Sequence, residues 1–171
     1  MEASECIRTR RTIRKYLDKP VPQMIIDKLI ESAKYAPSVD NSQSWEFIII
    51  TNNKIKRQLS EVNPWMTGIK DAPAAIAILG NLAISKDDFH NAINSSFAAN
   101  NILIEANNQG LGAAIIPVID KEFESEEKAR SILKIPDDVL VYCIITLGYP
   151  DEKPKLKKIR EDVVHYDCYL P

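Results

Sequence analysis

Cysteine, histidine, long apolar runs and excess charge are all scarce in this chain. Its three cysteines, Cys6, Cys143 and Cys168, are odd in number and far apart. That excludes a disulfide framework and a zinc pattern, and it suits a reducing cytosol. The two histidines, His90 and His165, have no ligand-spaced partner, so no metal site is expected. No apolar run approaches the ~18 residues of a membrane-spanning helix. The N-terminal MEASECIRTRR has no apolar stretch of the kind a signal peptide carries. Lysine plus arginine number 22 against 24 for aspartate plus glutamate, a net charge of −2, so bulk electrostatics recruit no nucleic acid. The expectation is a soluble, cytoplasmic globular protein with neither membrane nor nucleic-acid partners.

What remains is an ordinary folded composition, 45% hydrophobic and 27% charged. At 171 residues the chain is expected to form one domain, 1–171, burying roughly 70% of its unfolded surface without covalent staples. Ile25, Ile26, Leu29, Ile30 and Ala33 repeat at helical spacing after Pro20-Val21-Pro22, and Ala36-Pro37 ends that helix. Further helices are expected after Asn52, over 90–109 and over 122–134. Strands are expected over 46–51, 74–80, 113–116 and 139–147, all short and largely apolar, with β-branched residues concentrated in the first and last. Alternating helices and strands imply an α/β or α+β class with one sheet. The 90–109 helix carries Ala92, Ile93, Phe97, Ala98, Ile102, Leu103 and Ala106 on more than one stripe, so it is expected to be surrounded. Residues 151–171 are polar and lysine-rich and read as an extended tail.

Two segments carry chemistry. Residues 8–15 hold five basic side chains, with Thr12 between arginines. Guanidinium forks plus a hydroxyl suit a phosphate, although a solvated charged run has the same composition. Ile13 is expected to dock this arm on the core. The second segment, Pro37 to Trp45, supplies Ser38, Asn41, Ser42, Gln43 and Ser44. An Asx or Ser turn would explain some of these, but two amides also satisfy a planar heterocycle offering donors and acceptors. A phosphate grip and an amide set at the two ends of one helix suggest a nucleotide-like cofactor. Gly110-Leu-Gly112 lacks a third glycine and follows a helix, so it reads as a helix C-cap. Cys143, mid-strand, is expected to be buried and inert, whereas exposure is left open for Cys6 and Cys168, with nothing nearby that argues for a reactive thiol. Trp65 fits either a pocket wall or core and lid packing.

The motifs RRTIRKY at 10–16, APSVDNSQSW at 36–45, DAPAAI at 71–76, NILIEA…GLG at 101–112 and LGYP at 147–150 resemble, in order and spacing, the FMN-dependent nitroreductase family. The resemblance covers almost the whole chain. It implies an α+β fold, a three-layer α/β/α sandwich with a mixed, mostly antiparallel sheet, in an intertwined homodimer with FMN at the subunit interface. It implies that Arg10, Arg11, Thr12 and Arg14 serve the FMN phosphate and pyrimidine edge. Pro37, Ser38, Asn41 and Gln43 would come from the other subunit, and the tail 151–171 would wrap the partner. Lys158, with Lys157 one step away, would close on the phosphate. Ile115, Ile116 and Pro117 would pack near the reactive flavin edge.

The implied activity passes hydride from NAD(P)H through FMN to an electron-poor small molecule. The flavin carries the chemistry, so no side chain is expected as catalytic acid or base. Two departures bear on redox tuning: Thr67 stands in the turn where the family commonly has lysine, and Pro117 has no N–H to offer flavin N5. Either Val118 or Ile116 is then expected to supply that donor, or that contact is lost. A flavin store without turnover, and a module gripping an anionic partner with its basic arm, are the two alternatives.

Overall fold

The computed structural model describes residues 1–118, 120, 122–154 and 157–169. Its elements run α1 (Ala3–Thr9), α2 (Gln23–Lys34), β1 (Trp45–Ile50), α3 (Asn53–Ser60), β2 (Ala74–Asn81), α4 (Asp88–Asn108), β3 (Gly112–Pro117), α5 (Ser125–Leu133) and β4 (Val139–Gly148), with 3₁₀ turns at Val39–Asn41 and Pro64–Asp71. Local chemistry sets most of these boundaries. Asn52 accepts the N–H groups of Lys54 and Ile55 to start α3, and Asp87 does the same for Phe89 and His90 at the head of α4. Gly110, at φ 73°, ends α4, with Leu111 N–H reaching back to Ala106 O. The segment α1 was not foreseen, because its seven residues show no apolar repeat. Only Cys6 among them is buried, which settles the exposure that the sequence left open for it.

The strands pair in the order β1-β2-β4-β3, antiparallel throughout. Parallel pairing enters, among the described residues, as a single bridge between Thr12 and Ala113. Alternation sends successive side chains to opposite faces, and each face carries its own core. Ala74, Ile76, Ile78, Cys143, Ile145 and Leu147 meet α2 and α4 on one side. Ala75, Ala77, Leu79, Val141 and Ile144 meet α3, the 64–71 turn and α5 on the other. The expected α/β/α layering is present.

Helix α4 is not surrounded within one chain. Asn91, Asn94, Ser95, Ala98, Ala99, Ile102, Leu103 and Ala106 are buried, but Phe89 and Phe97 are exposed. The tail is also uncovered: every described residue from Lys157 to Tyr169 is exposed, including Ile159, Val163, Val164, Tyr166 and Tyr169.

Candidate functional site

The basic arm does not float. Thr12 bridges Ala113, and Ile13 N–H donates to Ala113 O at 3.0 Å. Farther along, Leu17 N–H donates to Tyr149 O, and Asp151 N–H to Lys15 O, both at 2.9 Å. Ile13 is buried as expected. Two glycines make the close crossing possible: a Cβ on Gly112 would meet Ile13 Cβ at 2.6 Å, and one on Gly148 would meet Tyr16 at 2.8 Å. The Tyr16 hydroxyl donates to Ile13 O at 2.6 Å and lies 2.7 Å from Thr146 Oγ1. Burial pushes its phenol up to about 12, with the Thr146 contact opposing.

Along this arm lies a cleft of about 520 Å³ lined by Arg10, Arg11, Thr12, Arg14, Glu152, Lys153, Pro154 and Lys157. Five cations and one hydroxyl converge there. Arg11 is partly committed, since its guanidinium donates to Arg8 O and Arg10 O at 2.7 and 2.9 Å. Lys158 does not line the cleft, whereas Lys157 does. Arg14 also lines a second cavity, of about 400 Å³, with Trp65, Ile115, Ile116, Pro117 and Asp120. The two cavities thus share one residue, the first lined mostly by cations and the second largely by apolar groups. Trp65 is exposed, and its ring sits edge-on to Phe123 at 5.3 Å, so it forms a wall of the cavity and not core. Asp120 was not singled out from sequence. Its carboxyl is held below the usual range chiefly by a hydrogen bond with Ser125, opposed next by desolvation, with Phe123 N–H adding to the lowering.

Strand β3 is the sheet edge beside this second cavity, and its N–H directions follow from its register. Val118 N–H donates to Tyr142 O at 3.1 Å, so residues 118, 116 and 114 turn toward β4 while 113, 115 and 117 face outward. Neither Val118 nor Ile116, the two expected donors, presents a free N–H at this edge. Ala113 is engaged with the arm and Pro117 has no N–H, which leaves Ile115 as the outward donor.

The amide loop is shaped by its own hydrogen bonds, at a distance from the arm. Buried Asn94 accepts from Val39 N–H at 2.8 Å and donates to Ser42 Oγ and Ser44 Oγ at 3.0 Å. Gln43 N–H donates to Ser38 Oγ at 3.1 Å, and its side chain to Asn41 Oδ1 at 3.2 Å. Asp40, Asn41 and Gln43 all adopt positive φ, at 53°, 50° and 47°, a costly combination that persists only where the surroundings enforce it. Asn94 was missed in the sequence; its signal is a second amide, one turn after Asn91, at the head of a stripe that continues as Ala98, Ile102 and Ala106. Thr12 aligns through Ala113 and Leu147 with Ala74, whereas Trp45 pairs with Gly80 at the other end of β2 and on the opposite edge. From strand spacing and rise, arm and loop stand roughly 25 Å apart in one chain. The chain therefore brings Arg10, Arg11, Thr12, Arg14, Lys157 and Ile115–Pro117 together, but not Pro37, Ser38, Asn41 or Gln43.

Other chemically suggestive groups lie apart. Cys143 is buried, with its thiol pushed up to about 12 by desolvation. Cys168 is exposed. Among the described residues no cluster of histidine, cysteine, aspartate and glutamate could hold a metal, and no helix is long and apolar enough to cross a membrane.

An antiparallel sheet between two helical layers defines the class of an α+β sandwich, with a cationic cleft and a largely apolar cavity side by side at one sheet edge. The nitroreductase family model matches residues 7–75. A protein of Methanothermobacter thermautotrophicus named "Putative NADH dehydrogenase/NAD(P)H nitroreductase" is 35% identical across 98% of this chain and 87% of its own length. An FMN-dependent nitroreductase from Clostridium difficile superposes with a TM-score of 0.89 at 31% identity, covering 97% of this chain and 99% of that one. An FMN reductase (NAD(P)H) of Bacillus subtilis is 25% identical over 99% of this chain and 75% of its own. The chain belongs to the nitroreductase family, a family of oxidoreductases.

Proposed function

We propose that this protein is an FMN-dependent oxidoreductase that works as a homodimer. It takes hydride from NAD(P)H and passes reducing equivalents to a nitroaromatic, a quinone or an activated alkene, the two substrates using the same site in turn. The observation that carries this reading is the cationic cleft joined through Arg14 to the trough walled by Trp65 and Ile115–Pro117. Charged forks and a hydroxyl fit a phosphate monoester, and the apolar trough fits a flat ring. A flavin mononucleotide has one at each end. The named activities of the Clostridium and Bacillus relatives support the same cofactor.

The donor set fits. Arg10, Thr12 and Arg14 would hold the phosphate, with Arg11 and Lys157 adding charge. The backbone and side chains of Ile115, Ile116 and Pro117 would support the ring. Bound there, the flavin supplies the hydride chemistry, and the protein orients it and tunes its potential. Ile115 N–H is the donor this edge has to offer. Pro37, Ser38, Asn41 and Gln43 would reach the ring from a second copy, which accounts for a loop shaped in advance yet about 25 Å from its own arm. Exposed Phe89 and Phe97 on α4, and the uncovered tail, favour the same pairing of copies. Lys158 would lie on that tail beside the phosphate.

Titration of wild type, Arg14→Ala and Asn41→Ala with FMN and riboflavin tests the assignment. Losing a charge-assisted contact from Arg14 is expected to weaken FMN by about ten- to hundredfold and riboflavin far less. Asn41→Ala is expected to weaken both flavins alike. Equal losses of the two flavins in Arg14→Ala would refute the phosphate grip. Pro117 and Thr67 favour a second reading, a flavin store: flavin binding with no NAD(P)H oxidation toward menadione or nitrofurazone would select it.

A further inference from the structure

A carboxylate in a phosphate cleft is adverse by charge alone, yet Glu152 lines the cationic cleft with Arg10, Arg11, Arg14, Lys153 and Lys157. Its hydrogen bonds give the reason. Glu152 Oε1 accepts from Arg14 N–H at 2.6 Å and from Lys15 N–H at 3.0 Å. Both donors lie between the arm's other anchors. Ile13 N–H is committed to Ala113 O on one side and Leu17 N–H to Tyr149 O on the other, while Asp151 N–H meets Lys15 O. Glu152 closes the interval between those pins, at the peptide groups flanking Arg14.

The charge of Glu152 is spent on the backbone. None of the ion pairs among the described residues involves it or any cation of the cleft. Apart from Arg11, whose guanidinium is partly committed to backbone carbonyls, the guanidinium and ammonium groups are therefore left free for an incoming anion. The same two N–H bonds hold the Glu152 carboxyl below its ordinary range, so it is ionised wherever the protein is folded near neutrality.

We propose that Glu152 is a positioning residue of the cofactor site: by tying down the backbone at Arg14 and Lys15, it aims Arg10, Thr12 and Arg14 at one phosphate. The role rests on the FMN reading given above. It acts through the arm and touches no reacting atom. Reach and acceptor geometry matter more than the negative charge, because both bonds go to a single oxygen that a glutamine also has.

Fluorescence titration of wild type, Glu152→Gln, Glu152→Asp and Glu152→Ala with FMN and with riboflavin tests this, alongside thermal melts of each variant. Glu152→Gln is expected to bind FMN within about threefold of wild type. Glu152→Ala, and Glu152→Asp with its shorter reach, are expected to lose FMN affinity by about ten- to thirtyfold, with riboflavin changed by less than about threefold. FMN affinity in Glu152→Ala equal to wild type overturns the role. So does an equal loss of both flavins, which marks a merely structural contact, or a Gln variant as weak as Ala, which makes charge the operative feature. Should Glu152→Ala fail to fold, the Gln and Asp pair decides by the same criteria. Failure of wild type to bind FMN refutes the cofactor reading, and the positioning role with it.

Discussion

The arm at 8–17 and the described tail at 157–169 have similar residues and opposite fates. Each is rich in lysine or arginine, and each follows or precedes a well-formed element. The arm is stitched to β3 and to the end of β4 by backbone hydrogen bonds and plugged by Ile13. The tail's apolar side chains, from Ile159 to Tyr169, face outward. Charge content does not decide which segment is fixed. What decides is one buried apolar side chain placed where a sheet edge offers unpaired backbone groups and two glycines let the chain approach.

Three changes test that contrast. The largest effect is expected from Ile13→Ala, which removes the plug. Loss of a buried isoleucine side chain costs about 2–5 kcal/mol, read by urea unfolding, and the cationic cleft should loosen with it. A loss under about 1 kcal/mol would show that hydrogen bonds alone hold the arm.

A smaller effect is expected from Tyr16→Phe, which removes hydroxyl contacts worth about 1–2 kcal/mol. It also has a pH signature. Burial holds the folded phenol up to about 12, whereas the unfolded side chain ionises near 10. Between those values the unfolded chain has lost the proton and the folded chain has kept it, so stability falls as pH rises through the window. Tyr142, whose phenol is raised by burial and by its hydrogen bond to Asp88, acts in the same direction in both proteins. The difference between wild type and Tyr16→Phe in alkaline denaturation isolates Tyr16, and parallel curves would refute its share.

Least of all should come from deleting residues 157–171 in dilute, flavin-free protein, where exposed side chains contribute under about 0.5 kcal/mol. A loss that grows with protein concentration would place the tail's contacts on a second copy.

Much of this architecture was legible because the signals are local. The Asn52 cap, the Gly110 stop and the β-branched runs each specify their element within a few residues. The phosphate cluster was legible for the same reason, since Arg10, Thr12 and Arg14 are close neighbours in sequence. Long-range pairing was not. That Glu152 would sit against Arg14, or Asn94 under the amide loop, depends on contacts 138 and 55 residues apart. The 3₁₀ turn at 64–71 was hidden because Asn63-Pro64 reads equally well as the end of a helix. Helix α4 misled in another way. Its several apolar stripes predict a surrounded helix, but one chain covers only one side of it, and Phe97 is left at the surface.

Strand β3 has a consequence for the company this molecule keeps. As the outer strand of a sheet, it would ordinarily invite a stranger's strand to pair with it and start a growing fibre. Ala113 is already taken by the arm, and Pro117 has nothing to donate. Only Ile115 is left between them, and one bare N–H cannot seed a ladder. The proline that costs the site a donor thus also keeps its open edge from becoming a template for aggregation.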